Sequence, residues 1–238
     1  MGRSVICLGR GGLGKAFEEH GIKCYDRREV DVNDICELNS IFNSDKPRYV
    51  INCTGMVGTG KCEHEPEMAY MVNVGGVSNI AYLCRKYSSS LVHFSTFYVG
   101  DYNVYTRSKM LSEHVINDLM INRLIIRLPW VFGKNTDNFV LSSLKGKEVS
   151  IYEDEVGYLA YDDDIVDYVI DNIGNLEGTI MLANSGTVDR KDILSFIGNE
   201  YKTMKRVTNM PAIAPFPTVE MRNWREPMKE LIDGIRSV

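Results

Sequence analysis

Short apolar runs alternate with amphipathic helical patterns along the first 140 residues of the chain. Ser4-Val5-Ile6-Cys7-Leu8 reads as a buried strand, and a glycine turn leads from it into a helix through Phe17 and His20. Residues 22–25, 49–53, 91–95 and 124–128 repeat the strand pattern. Between them, Asn33 or Asp34 caps a helix through Ile41 and Phe42, and a long helical stretch runs from near Pro66 to Tyr87. A further helix runs from Tyr105 to about Met120. Strands and helices in strict alternation predict a doubly wound α/β fold, with parallel strands, right-handed crossovers and helices on both faces.

After Phe139 the pattern changes. Shorter strands at 149–152 and 178–182 alternate with acidic helices near 162–173 and 189–197, and Pro211, Pro215 and Pro217 break the chain before a last helix from about Arg225 to Ile235. This predicts two parts. Residues 1–140 form a sheet domain, and residues 141–238 a small α/β subdomain beside the carboxyl ends of its strands, with the chain free to cross back between them.

Gly9-Arg10-Gly11-Gly12-Leu13-Gly14 lies directly after the first strand and before the first helix. The G-x-G-x-x-G spacing suits a tight turn, close approach of backbone to a pyrophosphate, and close helix–strand contact, so the sheet is read as Rossmann-type. Free N–H groups and the helix dipole at that terminus favour phosphate. Asp26 ends the second strand, where an acidic side chain binds the ribose diol of NAD. Arg27 and Arg28 follow at once, and arginine suits the 2′-phosphate of NADP. NADPH and NADH both stay open.

Tyr105 and Lys109 stand four apart on the predicted helix and therefore share a face. A nearby ammonium favours the phenolate, so Lys109 is expected to lower the Tyr105 pKa towards neutrality and let it pass a proton to a carbonyl oxygen. Thr96 closes the strand that precedes this helix.

These residues carry a family resemblance. Asp26 to Asp34, Val50-Ile51-Asn52-Cys53-Thr54-Gly55, Lys61 to Glu67, Val72-Asn73-Val74-Gly75-Gly76, Leu91 to Thr96, Asn103-Val104-Tyr105 and Arg127 to Gly133 are similar to stretches of the extended short-chain dehydrogenase/reductases, and within them of the dTDP-4-dehydrorhamnose reductases. The resemblance implies a catalytic set of Thr96, Tyr105 and Lys109 that reduces C4 of a nucleotide-linked 4-keto-6-deoxysugar in deoxysugar biosynthesis. It implies that Asp31-Val32 holds the adenine, that Cys53-Thr54-Gly55 lines the cofactor, and that Pro129 and Trp130 lie near the nicotinamide and sugar. Asn138 and Glu155, in stretches similar to the family's, are expected on the substrate side, and dimerisation through the two long helices is implied too.

Three departures stand out. The glycine turn is one residue shorter than is usual in the extended branch. Phe97 follows Thr96 where the reductases carry aspartate. Only eight residues separate Thr96 from Tyr105, where the family inserts a longer loop, so the sugar pocket must be more open or built from other parts. Two alternatives to a reductase therefore remain: a nucleotide-sugar epimerase or epimerase/reductase, and a catalytically idle NAD(P)-binding regulatory subunit.

A net charge of -5 advertises neither nucleic acid nor an anionic membrane as partner, and no apolar run is long enough to span a bilayer. Six cysteines without C-x-x-C spacing, and an apolar strand where a leader would stand, point to a reduced cytoplasmic protein. His93 lies mid-strand and reads as a satisfied core residue. Asp162, Asp163, Asp164 and Asp167 precede an apolar helix, so capping rather than metal binding explains them.

Overall fold

The computed structural model describes residues 4–120, 122–136, 138–175, 177–205 and 210–237. The alternation becomes a seven-stranded, wholly parallel sheet built from β1 (Val5–Leu8), β2 (Lys23–Tyr25), β3 (Tyr49–Asn52), β4 (Ser90–Thr96), β5 (Arg123–Leu128) and two later strands. Successive side chains of a strand point to opposite faces, and the core divides accordingly. Ile6, Leu8, Val50, Leu91 and Ile125 face one layer; Cys7, Ile51, Val92 and Ile126 face the other.

The first layer is covered by α2 (Ile35–Asp45), α5 (Val77–Tyr87) and α6 (Val104–Leu119), through Leu38, Phe42, Ile80, Leu83 and Ile116. The second is covered by α1 (Gly12–Glu19) and α8 (Asp162–Asn172), through Phe17, Ile165, Val166 and Val169. Each such side chain contributes roughly 1.5–3 kcal/mol by leaving water. Of the two candidate caps, Asp34 starts α2, accepting from the backbone N–H groups of Cys36 and Glu37. After the short α3 (Thr59–His64), the expected single helix from near Pro66 to Tyr87 is interrupted: α4 (Pro66–Tyr70) passes through a π-helical turn, Met71–Gly76, into α5. The extra residue of such a turn rotates Asn73 inward, where it is 1% exposed.

The sheet does not end with the first two-thirds of the chain. Residues after 140 supply β10 (Gly178–Ser185), which pairs with β5, and β13 (Val219–Asn223), which pairs with β10, giving the order β13-β10-β5-β4-β3-β1-β2. Leu182, Ala183 and Asn184 of β10 are buried, and a strand buried on both faces needs a sheet to join. The remaining strands make three small ribbons: β6 (Trp130–Phe132) with β9 (Leu159–Tyr161), β8 (Val156–Gly157) with β11 (Val188–Asp189), and β7 (Ser150–Tyr152) with β12 (Lys202–Met204). With α7 (Phe139–Leu144), α9 (Arg190–Ile197) and α10 (Arg225–Arg236) they enclose a second core around Phe132, Leu194, Trp224 and Met228.

Candidate active site

The strand order reverses direction at β1, between β2 and β3, and a cleft of about 520 Å³ opens there at the carboxyl ends of the strands. The glycine turn forms its floor. Gly9 has φ +96, and a Cβ there would lie 2.8 Å from the Cys53 carbonyl carbon and the Thr54 nitrogen. A Cβ on Gly14 would stand 1.9 Å from the Gly9 oxygen, so helix α1 meets the turn only as glycine. Gly11 has nothing within 4 Å of a built Cβ, which leaves its backbone open to a ligand. Gly12 is roofed by Asn135 and Thr136, 2.9 Å from a built Cβ.

Gly9, Arg10, Gly11, Asp26, Arg27, Asp31, Val32, Cys53, Thr54 and Gly55 all line this cleft, while Gly12, Leu13 and Gly14 lie in the helix start beside it. Sequence reading missed Lys61, Glu65, Met68 and Val72, which also line the cleft. Their only signal was the family-like stretch from Lys61 to Glu67. At one end of the cleft, Arg28 donates to Asp26 from both its backbone N–H and its guanidinium, each at 2.8 Å, and Arg10 stands 3.6 Å away. The Arg28 hydrogen bonds hold the Asp26 carboxyl down at about 2. An acid and two arginines thus meet at one spot.

The second half of the site stands on α6. Asn103 and Thr106 form a reciprocal capping box that starts the helix just before Tyr105. Tyr105 shares a hydrogen bond with Thr96 at the end of β4, and Thr96 also accepts from the Tyr98 N–H at 3.3 Å. The Lys109 ammonium is 5% exposed at residue level and lies 3.8 Å from a Cβ built on Gly55, a cleft residue. Burial pulls Lys109 down to about 8. Burial also pushes Tyr105 up to about 12, against the pull of the Thr96 hydrogen bond. The expected lowering of Tyr105 by Lys109 is therefore not what this structure displays. The phenol is desolvated, and burial disfavours the charged form of the lysine as well.

Asn73 ties the two halves together. It accepts from the Met56 N–H at 2.7 Å and donates to the Met56 oxygen at 3.0 Å and to the Ser108 hydroxyl at 2.9 Å; Ser108 in turn donates to the Tyr105 carbonyl at 2.8 Å. Beyond Thr96, Phe97 is buried in an apolar cluster with Tyr98, Tyr158, Ala183 and Ala214. The proline-rich segment from Met210 to Pro217 crosses here. Val156 donates to the Ala212 carbonyl and accepts from the Ala214 N–H, each at 2.9 Å, and the Thr59 hydroxyl reaches the Met210 sulfur at 3.9 Å. Phe216 on this segment is 78% exposed.

The other substrate-side candidates sit in the smaller core. Pro129 turns the chain between β5 and β6. Trp130 packs on Gly157, and the Arg190 guanidinium lies over its ring at 4.6 Å. Glu155 is buried and paired with Arg190 at 2.7 Å. Asn138 caps α7, accepting from the Leu141 N–H and donating to the Val131 carbonyl. Of the acidic group at 162–167, Asp162 accepts from Thr136 and from the Asp163 N–H, and Asp164 from Arg222 and Asn184.

The profile of a family described as the RmlD substrate binding domain matches residues 7–228. The chain is 26% identical to a dTDP-4-dehydrorhamnose reductase of Aggregatibacter actinomycetemcomitans, over 93% of this chain and 88% of that protein. It is 25% identical to a dTDP-4-keto-6-deoxy-D-glucose reductase of Streptomyces niveus, over 71% of this chain and 64% of the relative. The fold is similar to a dTDP-4-dehydrorhamnose reductase from Bacillus anthracis crystallised with NADP, with TM-score 0.89 and 22% identity over 98% of this chain and all of that one. A Thermus thermophilus UDP-glucose 4-epimerase in complex with NAD shares the fold at TM-score 0.81 and 18% identity, over 98% and 99% of the two chains.

Proposed function

Because the chain belongs to the RmlD substrate binding domain family, we propose that it is an NAD(P)H-dependent reductase acting on the 4-keto group of a nucleotide-linked 4-keto-6-deoxysugar. The cleft fits a dinucleotide: an open Gly11 backbone at a helix start, an acid flanked by arginines, and a Cys53-Thr54-Gly55 edge that leads to Lys109. When bound, the reduced nicotinamide supplies the hydride. The chain's residues supply the rest. Thr96 holds the substrate carbonyl by hydrogen bonding, Tyr105 is the acid that protonates the oxygen formed, and Lys109 holds the nicotinamide ribose from the Gly55 side. A phenol at about 12 is fully protonated at neutral pH, the form a reductase needs in its acid.

The observation that carries this reading is the continuity of the Thr96, Tyr105 and Lys109 group with the cleft, through Lys109 against Gly55. Tyr105→Phe tests it. With NADPH and NADH offered alongside a panel of nucleotide-linked 4-keto sugars, turnover should drop roughly a hundredfold or more while dinucleotide affinity stays nearly the same. Unchanged turnover removes the assignment. Phe97, closed into its apolar cluster, offers no proton donor for an epimerase; solvent deuterium should not enter the sugar.

On this reading residues 141–238 provide the sugar side. The segment Met210–Pro217, packed on Phe97 and Tyr158, takes the place of the short Thr96–Tyr105 connection as cover. Tyr82 on α5 and Leu111 on α6 are exposed apolar side chains on the helices through which a homodimer would form, and sedimentation would test it. No helix among the described residues is long and apolar enough to cross a membrane. All six cysteines are free, as suits a reducing, cytoplasmic setting.

A further inference from the structure

One buried polar side chain takes no part in the chemistry above. His93, in the middle of β4, is fully buried, as are Asn52 opposite it on β3 and Ser112 on α6. A chain of hydrogen bonds runs through them. Asn52 Oδ1 accepts from the Thr54 N–H at 2.9 Å and from the Thr54 hydroxyl at 2.6 Å. That fixes which end of the amide is oxygen, so Asn52 Nδ2 donates to His93 Nδ1 at 3.0 Å. His93 Nε2 then carries the proton and donates to Ser112 Oγ at 3.2 Å, and Ser112 donates to the Lys109 carbonyl at 2.7 Å. Each of these contacts has its donor and acceptor matched, in a single direction.

The two ends of this chain are informative. One is Thr54, at the edge of the dinucleotide cleft; the other is the backbone oxygen of Lys109. A carbonyl cannot take up a proton, so the chain is no proton wire. What it does is hold one turn of α6 at a set height against the β3 edge. An imidazole suits the task because its acceptor and its donor lie at opposite ends of a rigid ring, and a glutamine presents both at one end. Burial keeps the ring neutral by pushing its pKa well below the usual value.

We infer that His93 is a positioning residue which, through Ser112, sets Lys109 and Tyr105 against the Thr54–Gly55 edge of the cleft. This rests on the reductase reading for its catalytic consequence, though not for its geometry. Misplacement of a reacting group by as little as 1 Å costs up to about a hundredfold in rate. The relay is thus expected to act on kcat, while dinucleotide affinity, carried by the rest of the cleft, changes little.

The test uses Ser112→Ala, which leaves the strands untouched, beside His93→Phe, with Ile125→Val as control. Ile125 is the buried cross-strand neighbour of His93 and serves only packing. Ser112→Ala should lower kcat with a 4-keto sugar roughly ten- to a hundredfold and keep the calorimetric Kd for NADPH within about threefold. His93→Phe combined with it should be no worse than the poorer single variant, because both break one chain. Ile125→Val should lose thermal stability with kcat intact. Independently of turnover, NMR of 13C-lysine-labelled protein should find the Lys109 titration, near 8 in the parent, displaced in Ser112→Ala. A kcat within twofold of the parent, multiplicative losses in the double variant, or an unmoved Lys109 titration each overturns the inference. If the parent turns over no 4-keto sugar, the reductase reading fails, and the lysine titration alone still decides the relay.

Discussion

Asp162 gives the sharpest quantitative prediction. Its carboxyl is 1% exposed at the start of α8 and packs so closely on Gly133 that a Cβ there would lie 1.9 Å from both oxygens. Burial, followed by the charge of Asp163, raises its pKa from 3.8 to about 7, against the opposing pull of the Asp163 N–H, Thr136 and Lys134. The sign follows from proton counting. Between pH 4 and 7 the native state keeps a proton that the unfolded chain has lost, so stability falls as pH rises, by about 1.4 kcal/mol per pH unit. Across the window this approaches ~4 kcal/mol, reduced in practice by local relaxation. Asp162→Asn is neutral at every pH, can accept from the Asp163 N–H, and can donate to Thr136 in place of the present bond. It should match the parent within about 1 kcal/mol at pH 4.5 and exceed it by about 2–4 kcal/mol at pH 8. In a chain of this size that is a rise in Tm of about 5–15 °C at pH 8. Thermal melts of both proteins at the two pH values check it. An equal Tm difference at both, or a less stable variant at pH 8, would refute the reasoning, since only a buried carboxyl that ionises late can make the gap grow with pH.

Three further outcomes are expected. Gly14→Ala forces a Cβ to within 1.9 Å of the Gly9 oxygen, so it should cost at least about 1–3 kcal/mol of stability and abolish measurable dinucleotide binding in calorimetry. The rate of carbonyl reduction, followed through nicotinamide absorbance, should fall above about pH 8 as Lys109 deprotonates, while Tyr105, near 12, stays protonated. Lys109→Arg should move that limb out of range, because guanidinium does not titrate there. Asp26→Asn removes the carboxylate that engages Arg28 and stands near Arg10, so the Kd ratio of NADH to NADPH should move towards NADPH by about tenfold or more. A ratio that stays put means Asp26 does not meet the ribose.

The features legible in the chain are those whose physics is local. Strand period and helix period fixed the β1–α1 turn, the crossover helices and the shared face of Tyr105 and Lys109, because these depend on residues within one or two turns of each other. The glycine turn was legible for the same reason at Gly14, whose Cβ would meet the Gly9 oxygen five residues back, whereas Gly9 and Gly12 are held to glycine by Cys53–Thr54 and by Asn135–Thr136 across the fold.

Tertiary structure decided everything that depends on what lies across the fold. That Lys61, Glu65, Met68 and Val72 join Gly55 in lining the cleft follows from how distant segments dock. That β10 and β13 rejoin the sheet follows from the need of a doubly buried strand for hydrogen-bond partners. Glu155 and Asn138 carried the right residue type for a sugar, yet one is paired with Arg190 and the other caps α7. The direction of the Tyr105 shift could not be read from Lys109 four residues away. Desolvation is set by segments far apart in sequence, and at this site it outweighs the Thr96 hydrogen bond.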